Sequence, residues 1–335
     1  MERRELLRLL GAAGVLLPLG IGELAVAESG ALALDDPVHS VRSITHHYRR
    51  LWASTRTQDL TGPVLGHLRL ADTLLEASRS EADRVRLAVA ASETAGLAAW
   101  LARDSWDHAA ARQHHQAAVA YAERAGNDLL RAYTLVDMSY WAARTGDGDE
   151  AVRWIERAQS LLPPDAPPAC GANLWALEAV ARAAAHDPAV ALHALGRAEN
   201  ILQRSEEQDE AVWPWVFPVN YGLLARHRIT VAIECKLPRM ALPLLEEVLK
   251  GLGAVPNKRH ALPLCDLAFA NLLSGEIEEA CRLAGEAFAI AVQLSDKESV
   301  QRIEGIRDQL EPWKTTRVVT ELDERLQAGF SVSGS

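Results

Sequence analysis

Aromatic side chains are scarce in this chain of 335 residues, at 5% of the total. A sheet protein draws heavily on Val, Ile, Tyr and Phe. Here the apolar 49% is mostly Ala and Leu, both strong helix formers. Lysine is scarcer still, confined to Lys236, Lys250, Lys258, Lys297 and Lys314, so Arg supplies nearly all the positive charge. Together with the abundance of Ala, this reads as coding bias in a GC-rich genome. There is no basic excess: the net charge is −10. A free-standing nucleic-acid binder shows a basic face, so direct DNA binding by this chain is not expected. Cysteine is limited to Cys170, Cys235, Cys265 and Cys281, with no Cys-x-x-Cys pair. All four lie in apolar, helical-looking stretches, which fits reduced thiols in a cytoplasmic protein.

Catalytic signatures are missing as well. The chain has no P-loop, no H-E-x-x-H, no G-x-S-x-G and no G-x-G-x-x-G after a strand. Adjacent acids such as Glu246-Glu247 and Glu278-Glu279 diverge by about 100° on a helix and cannot share a substrate atom. Histidines gather at His46-His47 and at His108, His114 and His115, with His108 and His115 two turns apart. A metal site needs three or four convergent ligands, and no Cys or carboxylate ligands accompany them at ligand spacing. The expectation is no enzyme, no cofactor and no metal. The apolar run from Leu9 to Ile21 is too short to span a membrane. Arg3-Arg4, that run and Ala25-Val26-Ala27 together allow a twin-arginine export signal. The alternative is an amphipathic helix from Glu2 to Leu10 that ends at Gly11 and leads into an apolar connector.

What the sequence does contain is a repeat. Gly146-Asp147-Gly148-Asp149-Glu150-Ala151 is followed by Ile155, Ala158 and Pro163. Gly and Asp end one helix and cap the next, Ala151 and Ala158 permit a close helix crossing, and Pro163 stops the second helix. The first helix, about Leu129 to Thr145, carries Leu135, Met138 and Ala142 on one face. The pattern recurs as Asp107 to Ala111 and Ala118, as Asp187 to Ala191 and Ala198, and as Gly275-Glu276 to Ala280 and Ala287. A weaker copy runs from Leu237-Pro238 to Ala241 and Val248. The equivalent alanines, 111, 151, 191, 241 and 280, are 40, 40, 50 and 39 residues apart. Tetratricopeptide (TPR) units repeat at about 34 residues, so these are slightly long TPR-like hairpins. The wide gap holds Trp213-Pro214-Trp215-Val216-Phe217-Pro218, read either as a gate over a groove or as a hydrophobic plug. A further hairpin, about Val41 to Ser78, opens the array, and Ser299 to Leu310 with Val318 to Leu326 close it. The expected fold is therefore all-α, a right-handed superhelix of about six TPR-like hairpins (an α-solenoid) plus capping helices over residues 41–326. An N-terminal helix and connector (1–40) precede it, and a frayed tail (327–335) follows.

Several stretches resemble the TPR region of actinobacterial helix-turn-helix transcriptional regulators. They are Glu93-Thr-Ala-Gly-Leu-Ala-Ala-Trp-Leu-Ala-Arg-Asp, Ala122-Glu-Arg-Ala-Gly-Asn-Asp, Ser274-Gly-Glu-Ile-Glu-Glu-Ala, Leu310-Glu-Pro-Trp and Val319-Thr-Glu-Leu-Asp-Glu-Arg-Leu. The resemblance covers about Glu2 to Leu326. It implies a role in transcription regulation through signal sensing. In that family a DNA-binding domain precedes the TPR region, and Arg3-Arg4-Glu-Leu-Leu-Arg-Leu-Leu-Gly looks like the segment just after it. The chain is then either a stand-alone sensor paralogue or a regulator whose true start lies upstream. The same comparison weakens the export reading, because there the stretch is internal.

In such an array the first helices line a concave groove. The residues expected to face it are Glu93, Trp100 and Arg103 in the first hairpin and Tyr133, Asp137, Tyr140 and Arg144 in the second. Asn173 follows in the third, Arg226 and Thr230 in the fourth, and Cys265, Asp266 and Phe269 in the fifth. Carboxamides, charges and aromatics of this kind suit a peptide or protein segment, or a small signal molecule. A DNA-binding protein, a neighbouring domain or a second copy of the chain (a homodimer) would read out the change in shape. A passive protein–protein scaffold and an exported binding protein are the alternatives.

Overall fold

The computed structural model describes residues 37–204, 219, 221–244, 248 and 255–333, with side chains as far as Gly329. Expectations on residues 1–36, on Trp213–Pro218 and on Glu246-Glu247 lie outside the described residues. Val38–Ser335 clusters as one unit. Its described residues form fourteen α-helices and no strand. In chain order these are α1 (Pro37–Trp52), α2 (Thr57–Ala77), α3 (Glu81–Asp104), α4 (His108–Arg124), α5 (Asp128–Arg144), α6 (Gly148–Leu161) and α7 (Pro168–Ala184). They continue as α8 (Pro188–Arg204), α9 (Tyr221–Glu234), α10 (Pro238–Ala241), α11 (Lys258–Ser274), α12 (Ile277–Leu294), α13 (Lys297–Gln309) and α14 (Arg317–Ser333).

One turn chemistry is used seven times. A residue in the left-handed region closes one helix, and the next residue opens the following one. The left-handed residues are Trp106, Gly126, Gly146, His186, Lys236, Gly275 and Ser295. In each case the N–H of the next residue reaches back to a carbonyl five residues earlier. Examples are Asp107 to Ala102, Asp147 to Ala142, Asp187 to Arg182 and Asp296 to Ala291, each 2.9 Å. This back-bond satisfies carbonyls that a helix end leaves unpaired. The same residue then caps forward. The Asp107, Asn127, Asp147, Asp187 and Asp296 side chains accept from backbone N–H groups of the next helix. Two residues thus do the work of a loop, and the paired helices are held tightly together.

The crossing positions are filled by the smallest side chains. Ala111, Ala118, Ala151, Ala158, Ala191, Ala198, Ala241, Ala280 and Ala287 are completely buried, and Val248 nearly so. Alanine lets backbones approach at these points, and a larger residue would overpack them. The even-numbered helices are amphipathic; α6 buries only Gly148, Ala151, Ile155 and Ala158. The odd-numbered helices from α3 to α11 are buried on most sides, and every residue of α3 from Leu97 to Asp104 is inside. Among the described helices α3 alone is long and apolar enough to cross a membrane, and most of it is buried within the fold.

From α3 to α11 each odd helix packs on its even partner and also on the next odd helix: α3 on α5, α5 on α7, α7 on α9, α9 on α11 and α11 on α13; α13 and α14 both pack on α12. The series returns on itself, because α13 also contacts α3. The inner helices from α3 to α13 therefore face a common, partly open space.

Two boundaries differ from the sequence expectation. Helix α1 starts at Pro37, within the stretch read as connector. In the fourth hairpin α10 passes at Pro243 into a 3₁₀ turn, Leu242–Leu244, and Val248 is again helical. At the other end α14 runs on to Ser333, past the frayed tail expected from residue 327. Gly329 sits directly against the ring of Phe288, so packing extends the helix beyond what composition suggested.

Candidate functional site

The inner faces converge on a chamber of about 150 Å³. Helical spacing explains how each wall is built. On α5, Tyr133, Val136, Asp137 and Tyr140 recur at three and four residues and share one face. On α3 the same face presents Trp100, Arg103 and Asp104. Trp52 enters from α1, Asn173 and Leu177 from α7, and Leu223, Arg226 and His227 from α9. Lys258, Arg259 and Leu262 come from α11, and Asp296 and Glu298 from the start of α13.

Buried charges around the chamber are mostly paired, as they must be. Asp137 accepts from Trp100 Nε1 (2.8 Å) and Arg103 (2.9 Å), and its other contact is His115 Nε2 (2.7 Å). Burial would raise its pKa; the Arg103 guanidinium, with His115 and Trp100, overrides this and holds the carboxyl at about 2. Arg103 also lies 3.6 Å from Glu298 and stacks over Tyr140 and Trp141. Behind it, Arg144 pairs with Asp266 (3.2 Å) and lies 3.9 Å from Glu298. Asp266 in turn takes Arg302 (2.7 Å) and the Thr230 hydroxyl (3.0 Å).

A second set of contacts joins the beginning of the array to its end. Lys258 Nζ donates to Asp104 (2.7 Å) and to the Thr57 hydroxyl (2.8 Å). Trp52 Nε1 donates to the same Asp104 carboxylate (2.8 Å), and the Lys258 N–H bonds the Ala53 carbonyl (2.9 Å). The residues of the Lys258–Asp104 pair are 154 positions apart, yet both are buried.

Two groups stand out against this pairing. Arg226 has no carboxylate within ion-pair distance among the described residues, and its Nε is buried without a hydrogen-bond partner. Burial, then repulsion from Arg144, pulls its pKa down against the attraction of Tyr140 and Asp266. Its neighbour His227 is pushed down to about 3 by burial and by Arg226, so the imidazole is neutral. The other group is Asp296, which caps α13 by accepting from Ser299 N–H (3.2 Å) and its hydroxyl (2.6 Å). Burial, Asp104 and Glu298 push this carboxyl up to about 7.

Of the residues expected to face a groove, Trp100, Arg103, Tyr133, Asp137, Tyr140, Asn173 and Arg226 line the chamber. Arg144, Thr230 and Asp266 form the ion-pair layer behind it. Glu93 lies elsewhere, in a cleft with Arg42 and Arg49 at the α1–α3 contact. Cys265 and Phe269 border a third cleft with Arg302. That third cleft is larger, but the buried charges and aromatic rings concentrate at the chamber. His115 is bound to Asp137, and His108 packs on Trp106 and Trp141. Among the described residues no group of three or more His, Cys, Asp or Glu is placed to hold a metal ion, and all four cysteines are free thiols. Sequence reasoning did not reach Trp52, Asp104, His227, Lys258, Arg259, Asp296 or Glu298. Only Asp296 carried a local signal, as the cap between two helices. The walls combine aromatic and aliphatic faces with a dense set of charged groups. Neither a protein-family model nor a curated protein matches the chain.

Proposed function

We propose that this chain is a TPR-like α-solenoid whose hairpins curl round a central chamber, and that it acts as a non-catalytic sensor. The ligand enters the chamber, and the resulting change in curvature is read by a protein partner. Transcription regulation is the setting, the cytoplasm the compartment, and contact with DNA is left to the partner, since a chain of net charge −10 gains little from phosphates. The recurring two-residue turn and the buried crossing alanines support the TPR-like reading.

One observation carries the function: inner helices from one end of the array to the other contribute polar groups to the same partly open space. A ligand there touches hairpins far apart in sequence, so its affinity depends on how the array is curled, and differential affinity is what shifts a population. The size favours a small signal over an extended peptide, since a cavity near 150 Å³ holds a molecule of roughly benzene size.

A broad metabolite screen by thermal shift tests this, with Trp fluorescence as a second readout because Trp52 and Trp100 line the chamber. Hits are expected with the parent protein and lost in Leu177→Trp, which fills the chamber while circular dichroism shows the fold intact. Hits that bind the folded Leu177→Trp variant as well as the parent, or no hits at all, would overturn the proposal.

A further inference from the structure

Resting on the reading of the chamber as the ligand site, we infer that its ligand is a small organic monocarboxylate, with the carboxylate seated on Arg226 and an apolar or aromatic body against Tyr133, Val136, Leu177 and Leu223. The argument is one of charge accounting. Asp137 is engaged by Arg103, Asp104 by Lys258, and Glu298 lies between Arg103 and Arg144. Asp296 is turned to the Ser299 hydroxyl and N–H. The acid nearest in influence to Arg226 is Asp266, and Arg144, Arg302 and Thr230 already hold it.

Among the described residues, then, no carboxylate is placed to pair with Arg226. Arg226 also sits in a corner of like charge, because Arg144 repels it and it repels Arg259. Folding places this group beside a chamber wall, where burial and Arg144 oppose its charge and only the more distant attraction of Tyr140 and Asp266 offsets them among the described residues. His227 next to it is neutral, so it adds a hydrogen-bonding ring without adding charge. A carboxylate fits the planar guanidinium fork with two parallel hydrogen bonds. A guanidinium with no carboxylate at ion-pair distance among the described residues favours an anionic ligand group, and the aromatic and aliphatic walls set the character of its body.

The experiment compares acids with their isosteric amides, phenylacetate against phenylacetamide and butyrate against butyramide, by calorimetric titration of the full chain. Inorganic phosphate is a third arm. Parent protein, Arg226→Met and Arg226→Lys are titrated and melted. The inference expects acid to bind at least tenfold more tightly than amide in the parent, roughly the worth of a hydrogen bond to a charged group. It expects this preference to vanish in Arg226→Met and to be partly kept in Arg226→Lys. It also expects Arg226→Met to melt higher than the parent without ligand, because a half-buried charge with no carboxylate beside it among the described residues is removed.

Amides that bind as well as acids would sink the carboxylate while leaving the chamber as the binding site. Phosphate binding more tightly than either acid would replace carboxylate by phosphate. No binding by any probe, or a lower melting temperature for Arg226→Met, would overturn the inference, the latter by making Arg226 a structural group.

Discussion

Asp296 is a cap placed where its charge is unwelcome. Its oxygens hold the first turn of α13 through Ser299, while burial and the neighbouring Asp104 and Glu298 raise its pKa to about 7. An unfolded Asp titrates near about 3.9. The folded state therefore holds the proton more tightly, so the protonated group favours folding at low pH, and that advantage is lost as pH rises through about 7. Asn caps a helix as well as Asp does and carries no charge. Asp296→Asn is thus expected to match the parent near pH 4, to gain on it up to about pH 7, and to keep a constant advantage above. Urea melts at several pH values check this; an advantage independent of pH would show that Asp296 is not the titrating group. The residue scale is also where the sequence was easiest to read in kind and hardest in detail. The spacing on α5 put Tyr133, Asp137 and Tyr140 on one face, and the structure keeps them together at the chamber. It could not separate Arg103, whose charge is consumed by Asp137 and Glu298, from Arg226, whose charge is not. That difference depends on contacts between helices.

The element scale is governed by the hairpin turn. Gly146 needs its freedom because it adopts a left-handed conformation (φ 86°), and Gly275 likewise (φ 82°). Gly148 is constrained for another reason. A Cβ there would fall on the backbone of Ala184 and Ala185 at the end of α7, so the first turn of α6 is packed directly against the neighbouring hairpin. Gly148→Ala is expected to destabilise the chain by about 1–3 kcal/mol, the usual cost of overpacking. Gly305, within α13 and open to solvent, has nothing within 4 Å of a new Cβ. Gly305→Ala should instead stabilise, by up to about 1 kcal/mol from helix propensity. Thermal melts of the two variants settle the contrast, and equal effects of the same sign would contradict it. The motif around Gly146 and the seven-residue alanine offset were legible because both are local consequences of chain geometry. The 3₁₀ turn at Leu242–Leu244 in the fourth hairpin was less legible, although Pro243 is its visible cause.

At the scale of the whole molecule, closure is the property that no local pattern encodes. Ala53, Thr57, Asp104 and Lys258 meet across the array, and α13 returns to α3. Each of these residues looks ordinary in its own stretch of sequence. A repeat pattern specifies how one hairpin sits on the next, and small differences in that angle, summed along the array, decide whether a trough stays open or shuts. The chamber follows from this closure, and so does the proposed way of sensing, in which a ligand bridges inner helices that are distant in sequence. Hydrogen exchange of the parent protein, with and without the tightest hit of the metabolite screen, tests that claim most directly. The account predicts slowed exchange in α3, α9 and α11 together, with the outer helices α4, α6 and α8 little changed. Protection confined to the outer helices, with the inner ones unaffected, would contradict it.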